Sequence, residues 1–411
     1  MSTLTPTVNP HDVGLDAQRL NRISQHFRAY VDDGRLPGWQ IAVMRHGELA
    51  FASSYGWQNV EQRTPIADDT IFRIYSMTKP ITTVAAMMLW EEGAFELKDP
   101  VAKFIPSFAQ QKVYRAGSHT APQLEPVTEP MQLWHLMSHT SGLTYGFMLS
   151  HPVDAMYRAA GFEWGIPRDV DLAGVCDALA ALPLLFQPGR EWNYSMSTDV
   201  LGRVVEVVSG QTLDEFFRTR IFAPLKMSDT AFFTPEKDHS RLASLYGLNP
   251  ADKKAVHLEA ASKAAYAPPR ALLGGGGLVS TTHDYLRFAE MFRRGGELDG
   301  VRLLSPRTVR YMASNHLPNN MDLSQFGRPL FSETTYDGVG FGLGFSVTID
   351  PIKAKVPGSV GEHGWGGAAS TTFSIDPVEQ LSVVMMTQLM PSSSWPLRSE
   401  LKQLVQQALI D

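Results

Sequence analysis

The chain has 411 residues, of which 44% are hydrophobic and 19% are charged, and its net charge at neutral pH is -6. At roughly 100–200 residues per domain, this length predicts two or three domains, or one large fold with an insertion. The hydrophobic content is sufficient for a buried core. The acidic balance, without a run of Lys and Arg, argues against a nucleic-acid-binding protein, which usually presents a basic face.

The chain also lacks the features of a secreted or membrane protein. Its N-terminal stretch, MSTLTPTVNPHDVGLDAQ, has neither the basic region nor the apolar run of a signal peptide. The longest apolar stretches, such as GVCDALAALPLLF, are far shorter than the ~20 residues of a membrane span. Cys176 is the only cysteine, so no intramolecular disulfide forms, and we expect it to be a small buried side chain. We therefore expect a cytoplasmic protein with no membrane partner.

The first elements follow clear periodic patterns. A helix is predicted over residues 15–30, with Asp16 as its cap and Leu20, Ile23 and Phe27 on one face. WQIAVMR and ELAFASSYG then flank His-Gly, which predicts a hairpin. The next helix has apolar residues at helical spacing from Ile81 onward and ends near Gly93.

The remaining chain divides by composition. Residues 106–268 are rich in helical patterns, turns and proline, with little strand alternation. Strands return in FGLGFSVTID, GGAASTTFSID and QLSVVMMTQL, the last two forming a hairpin across PVEQ, and a helix, PLRSELKQLVQQALI, follows. We expect the early and late strands to share one sheet in a discontinuous domain, 1–105 and 269–411. The mainly helical segment 106–268 is then an inserted domain.

One pair of residues suggests catalysis. On a helix, Ser76 and Lys79 share a face, with Cβ atoms ~5–6 Å apart. A serine hydroxyl is a poor nucleophile until a base takes its proton, and lysine can do so only when it is partly neutral, a form that burial favours. Pro80 complicates the pattern, because the residue before a proline resists helical geometry; local rules start the helix at Pro80. A second Ser-x-x-Lys, Ser399 to Lys402, lies on a charged terminal helix and is interpreted as chance.

Two further stretches strengthen the hypothesis. Tyr194 lies in a turn before a helical pattern, and Trp365-Gly366-Gly367 begins a probable strand whose glycines permit close approach by a ligand. In order, Ser76-Met77-Thr78-Lys79, Tyr194-Ser195-Met196 and Trp365-Gly366-Gly367 resemble the three motifs of serine β-lactamases and penicillin-binding proteins. The flanking LWHLMSHTSGL, FQPGREWNYS and GGGGLVSTTHDY resemble the family VIII carboxylesterases, which are class C β-lactamase-like serine hydrolases, and are similar to a statin side-chain acyltransferase.

This resemblance covers roughly residues 15–405. It implies an α/β fold of the α+β type, the β-lactamase-like fold, with a mostly antiparallel sheet flanked by helices and an inserted mainly helical domain. It implies that Ser76 is the nucleophile, that Lys79 and Tyr194 act as general base and acid, and that the N–H groups of Ser76 and Ala368 form the oxyanion hole. The substrate-binding residues that we predict are Trp365, Gly366, Gly367, Tyr145, Phe147 and His363.

The chain departs from the penicillin-recognising pattern at two positions. Met196 stands where those enzymes have Asn, and Trp365-Gly366-Gly367 replaces Lys-Thr-Gly. Trp365 carries no positive charge for a β-lactam carboxylate, which favours neutral short to medium esters and an acyl-serine intermediate. Acyl transfer to an alcohol, weak β-lactamase activity and an inert binding protein of the same fold are the alternatives. No metal or organic cofactor is expected, the partner is a small-molecule ester, and the sequence leaves open whether the chain forms a homo-oligomer.

The sequence does not carry the motifs of a zinc site, a phosphate loop or an α/β-hydrolase. His135 and His139 are four residues apart, but the Glu of H-E-x-x-H is absent and no third zinc ligand suggests itself, so we expect them to be structural. The glycine run 274–277 is not followed by Lys-Ser/Thr and is not a phosphate loop. No Gly-x-Ser-x-Gly occurs, which removes the usual α/β-hydrolase nucleophile elbow.

Overall fold

The computed structural model describes residues 4–167, 169–328 and 336–411. Its strands are β1 Gly38–Arg45, β2 Glu48–Asn59, β3 Thr64–Pro65, β4 Phe72–Arg73, β5 Lys112–Ser118, β6 Ala121–Pro126, β7 Tyr246–Leu248, β8 Ala255–His257, β9 Val279–Ser280, β10 Glu297–Leu298, β11 Val301–Arg302, β12 Val339–Phe341, β13 Ser346–Thr348, β14 His363–Gly366, β15 Thr372–Asp376, β16 Leu381–Met386 and β17 Leu389–Met390. Its helices are α1 Ala17–Asp32, α2 Thr78–Glu91, α3 Leu133–Met137, α4 Pro152–Ala159, α5 Leu172–Ala180, α6 Ser197–Ser209, α7 Leu213–Phe217, α8 Glu259–Lys263, α9 Thr282–Arg293, α10 Pro306–Met312, α11 Leu323–Phe326, α12 Pro351–Ala354 and α13 Leu397–Gln406.

One sheet joins the two ends of the chain, as predicted. Its order is β12-β13-β14-β15-β16-β1-β2-β3, and every neighbouring pair is antiparallel. The N-terminal β1 lies beside the C-terminal β16, with Ile41 opposite Met385. The predicted hairpin across residues 377–380 is the β15–β16 pair. The predicted mostly antiparallel sheet flanked by helices is therefore confirmed.

Side-chain alternation gives the central strands two buried faces. Ile41 and Val43 of β1 belong to a hydrophobic cluster with Phe27 of α1 and Leu401 of α13. Ala42, between them, belongs to the larger cluster on the opposite face. Because successive side chains of a strand point to opposite faces, a strand that is covered on both sides reads as a continuous apolar run. The sheet is thus held between a helical layer of α1 and α13 and the core that contains α2.

The segment 106–268 contains more strand than expected. Helices α3 to α8 lie within it, but so do the β5–β6 hairpin and the β7–β8 pair. The hairpin was not predicted because its positions are largely exposed or half-buried on both faces, which removes the apolar alternation that marks a strand. Assignment of 106–268 as a separate inserted domain stays a prediction.

The start of α2 also differs from the local rule. The helix begins at Thr78 and therefore includes Lys79 and Pro80. Because the first four backbone N–H groups of a helix have no partner within it, the missing N–H of Pro80 removes no helical hydrogen bond. Every residue of α2 from Thr78 to Leu89 is buried, and this burial outweighs the preference of Lys79 for an extended backbone.

Two simpler expectations are met. Asp16 caps α1 by accepting a hydrogen bond from Arg19 N, and Cys176 is buried.

None of the helices in the described ranges combines the length and the apolar character that a bilayer crossing demands.

Candidate active site

The Ser76–Lys79 pair is formed by the turn that leads into α2. Tyr75–Met77 is a short 3-10 turn, and Tyr75 has a φ of 43°, in the left-handed region that residues other than glycine rarely adopt. This turn places Ser76 at the wall of a cavity, while Lys79 on the next turn is only 1% exposed. Lys79 Nζ lies 3.2 Å from Ser76 Oγ. The predicted contact between the two side chains is therefore present.

Lys79 has two other hydrogen-bond acceptors within reach. Its Nζ lies 2.9 Å from Tyr145 Oη and 2.6 Å from the carbonyl oxygen of Gly275. A neutral amine has two N–H donors and one lone pair. If Tyr145 and Gly275 accept those two hydrogen bonds, the lone pair faces Ser76 Oγ and can take its proton. The arrangement is thus suited to general-base activation of the serine.

Tyr145 has a contact that we did not predict. It lines the cavity, as expected of a substrate-binding residue, and its hydroxyl also contacts the lysine. Burial, with smaller contributions from Asp199 and Tyr194, raises its pKa well above the usual value. Tyr145 is therefore a neutral phenol that holds Lys79 in place without supplying a counter-charge.

Asp199 is a buried carboxyl group that the sequence reasoning missed. Its Oδ1 accepts a hydrogen bond from Gly275 N at 2.8 Å, and the Gly275 carbonyl accepts from Lys79. Burial raises the pKa of Asp199, while Lys79 opposes that shift. A Cβ atom at position 275 would lie 2.5 Å from Asp199 Oδ2, which explains why this member of the glycine run has no side chain. Asp199 thus holds in place the residue whose carbonyl accepts the hydrogen bond from the lysine.

Lys79 contacts the aromatic ring of Tyr194. Lys79 Nζ lies 4.6 Å from the centroid of Tyr194, within the range of a cation–π contact when the lysine is charged. The Tyr194 hydroxyl oxygen instead accepts a hydrogen bond from Trp365 Nε1 at 3.2 Å. Trp365, predicted to line the site, does line it and also positions the Tyr194 hydroxyl.

The cavity at Ser76 has a volume of about 230 Å³. Its wall also includes Ala368 and Met196. Most of the remaining wall is aromatic or aliphatic, and its members that were predicted from sequence are Tyr145, Phe147, Tyr194, Trp365, Gly366, Gly367 and Ala368. The structure therefore brings together all of the predicted site residues except His363.

Arg398 is a second feature of the wall that the sequence reasoning missed. This residue of α13 lines the cavity, and its guanidinium donates a hydrogen bond to the Gly367 carbonyl at 3.3 Å. A Cβ atom at position 366 would lie 2.4 Å from the Arg398 guanidinium carbon. The glycine thus allows the arginine to approach the strand, and the site contains a cation although Trp365 supplies none.

His363 lies outside this cavity, contrary to our expectation of a position near the pocket. Its ring packs against Phe292 and Phe345, at centroid distances of 5.3 and 5.5 Å. Nδ1 lies 2.8 Å from the Gly361 carbonyl, and Nε2 is buried without a hydrogen-bond partner in the described residues. Burial lowers the pKa of His363 to about 4. The proximity of His363 to Trp365 in sequence is misleading, because the His363 ring is packed against Phe292 and Phe345.

His135 and His139, the two histidines that we expected to be structural, lie in different surroundings. His135 Nδ1 accepts a hydrogen bond from Gln132 N at the start of α3, and burial lowers the pKa of this histidine to about 4. His139 Nδ1 lies 3.1 Å from Ser195 Oγ, and its ring packs against Tyr194. Burial, and secondarily Lys79, lowers its pKa well below the usual value. Each imidazole is thus neutral, and each is engaged by its own neighbours.

The second Ser-x-x-Lys pair has no such geometry. Ser399 Oγ donates to the Pro396 carbonyl at 3.0 Å, whereas Lys402 forms an ion pair with Glu362 at 2.8 Å. The serine therefore has no lysine base, and the interpretation of this repeat as chance agrees with its contacts.

Comparison with known proteins identifies the family. The beta-lactamase family model matches residues 23–407, and the chain belongs to this family. Esterase EstB of Burkholderia gladioli is 32% identical over 94% of this chain and 94% of its own. Lovastatin esterase of Penicillium rubens is 30% identical over 92% of this chain and 95% of its own.

A solved structure extends this similarity to three dimensions. EstCE1, described as a hydrolase with promiscuous acyltransferase activity, is 28% identical, covers 96% of this chain and 99% of its own, and has a TM-score of 0.79. The predicted β-lactamase-like fold is confirmed. The chain belongs to a family of β-lactamase-fold serine hydrolases whose members include esterases and acyltransferases.

The Trp365–Tyr194 hydrogen bond makes a first prediction. Trp365→Phe keeps an aromatic ring but removes the N–H donor, and we expect kcat for p-nitrophenyl butyrate to fall about three- to tenfold, as for one lost hydrogen bond. KM should change less, because the donor acts on Tyr194. Trp192→Phe is the matched control: Trp192 also packs against Tyr194, but its Nε1 has no partner in the part of the chain that the structure describes. Equal losses of kcat in the two variants would contradict this role of Trp365.

The neutral His363 makes a second prediction. The unfolded chain binds its proton near pH 6.5, whereas the folded chain binds it near pH 4. Acidification through this window therefore favours unfolding, by about 1.4 kcal/mol per pH unit for this residue. His363→Asn, which retains a donor for Gly361, should lose this part of the slope in urea unfolding measured at pH 7, 6 and 5. An unchanged slope would show that the pKa of His363 is the same in the folded and unfolded chains.

Proposed function

We propose that the protein is a serine carboxylesterase that acts on neutral esters through an acyl-Ser76 intermediate. The observation that carries the proposal is the 3.2 Å contact between Ser76 Oγ and Lys79 Nζ at the wall of a largely apolar cavity. The similarity to esterases along nearly the full chain supports the same reaction class.

In the first half of the proposed reaction, Lys79 takes the proton of Ser76 while Oγ forms a bond to the ester carbonyl carbon. The carbonyl oxygen becomes an oxyanion, which the N–H groups of Ser76 and Ala368 stabilise. As the tetrahedral intermediate collapses, the bond to the alkoxy oxygen breaks. The leaving alcohol receives a proton from Tyr194, and the proton on Lys79 restores Tyr194. The products are a free alcohol and acyl-Ser76.

In the second half, water attacks the acyl carbon and gives one proton to the Lys79–Tyr194 pair. The bond to Ser76 Oγ breaks, and the serine oxygen recovers that proton. The carboxylic acid then leaves. Lys79 and Tyr194 thus act as a unit in both halves of the proposed reaction.

Acyl transfer to an alcohol is the second candidate. It uses the same acyl-serine and differs only in the nucleophile of the second half. The similarity to EstCE1, a hydrolase with promiscuous acyltransferase activity, favours it. Adding a primary alcohol to the ester assay separates the two outcomes by the ratio of new ester to acid.

The nucleophile assignment makes a third prediction. Ser76→Ala should lower kcat/KM for p-nitrophenyl butyrate on the order of 10³-fold or more, because the covalent route is lost. The urea midpoint should stay close to that of the wild type. Ser399→Ala, at the second Ser-x-x-Lys, is the matched control and should keep full activity.

The reverse pattern, with Ser399 essential and Ser76 dispensable, would refute the mechanism.

Nitrocefin in the same assay tests the substrate class. Trp365 and Met196, in place of the Lys and Asn of penicillin-recognising enzymes, predict that this β-lactam is a much poorer substrate than the ester. Comparable kcat/KM values for the two substrates would overturn the preference for neutral esters.

A further inference from the structure

Three stacked aromatic rings lead from Lys79 to the protein surface. Tyr145, whose hydroxyl contacts the lysine, stacks on Phe147 with a centroid distance of 4.6 Å and an interplanar angle of 17°. Phe147 stacks on Trp164 at 5.0 Å and 13°. All three residues line the cavity that contains Ser76. The rings therefore form one continuous aromatic wall, which begins at the reacting groups.

The outer ring is unusually exposed. Trp164 is 65% exposed, whereas tryptophan is strongly buried on average because it is large and mostly apolar. A single exposed apolar side chain needs no explanation, but this one ends a stack and lies at the mouth of a cavity. Phe162 and Ile166 line the same side. The exposed ring is thus positioned to contact a ligand that extends beyond the reacting centre.

The position of Tyr194 indicates which part of an ester this wall would receive. Its hydroxyl, which we expect to protonate the leaving alcohol, is held by the Trp365 indole. The alkoxy group is then directed toward Trp365. The acyl group is then placed toward Tyr145, whose ring lies 5.4 Å from the Tyr194 ring by centroid distance.

We propose that Phe147 and Trp164 form an acyl subsite that selects esters whose acyl chain ends in an aromatic ring. This inference rests on the proposed esterase function and specifies its substrate class. Aromatic pairs gain free energy beyond that of simple area burial, and edge-to-face or offset contacts suit an incoming ring.

The test uses two ethyl esters that differ only by a terminal ring, ethyl butyrate and ethyl 4-phenylbutyrate, with acid release followed in a pH-stat. The ethyl group keeps aromatic character out of the leaving alcohol. Trp164→Ala should lower kcat/KM for the phenyl ester about two- to tenfold, as expected for one aromatic contact, and should change the value for ethyl butyrate less than twofold. Trp164→Phe retains a ring and should recover most of the loss.

Ile352→Ala is the control for removal of an exposed apolar side chain, since Ile352 is 79% exposed and lies outside the cavity. It should change neither ester. If Trp164→Ala lowered kcat/KM for both esters equally, or for neither, the subsite would be refuted.

A binding measurement separates this inference from the esterase proposal. Calorimetric titration with 4-phenylbutyramide, a neutral amide with the same acyl chain, reports binding whether or not the protein hydrolyses esters. Weaker binding by Trp164→Ala than by wild type, at the same two- to tenfold, supports the subsite even if both esters are inert. Equal affinities of the two proteins for the amide would overturn it.

Discussion

The burial of Lys79 is the constraint on which the rest of the site depends. An amine that is 1% exposed must have partners for its hydrogens, because an unpaired buried polar group costs free energy. Ser76, Tyr145 and Gly275 supply three polar contacts to the amine from three separate parts of the chain. The same contacts that make burial tolerable also orient the nitrogen toward the serine. Local stability and reactivity are therefore coupled in one small network.

The fold brings these partners together through rigid elements. The α2 helix, buried from Thr78 to Leu89, carries Lys79, and α6 carries Asp199, which holds Gly275 through its N–H. In the sheet, β14 carries Trp365, whose indole holds the Tyr194 hydroxyl. Each reacting group thus has a supporting contact of its own. Supporting contacts of this kind hold side chains within the narrow geometry that proton transfer requires.

Sequence reasoning found the residues whose chemistry is local or repeated in a motif. The Ser76–Lys79 spacing, the alternation of β1 and the cap of α1 are set by neighbours along the chain, and they could be predicted. Asp199 and Arg398 could not, because nothing within a few residues shows that one will meet Gly275 and the other Gly367. His363 was misplaced for the opposite reason: its closeness to Trp365 in sequence does not bring it to the cavity. The start of α2 shows tertiary burial overriding a local proline rule.

The central claim is that Lys79 activates Ser76 for covalent attack. A fluorophosphonate forms a stable adduct with an activated serine, and peptide mass spectrometry identifies the modified residue. We expect a single adduct on Ser76 in the wild-type protein. We expect the labelling rate to fall on the order of 10²-fold or more in Lys79→Met, which keeps an unbranched side chain in the buried position but removes the base. An adduct on another serine, or equal labelling rates in the two proteins, would contradict the claim.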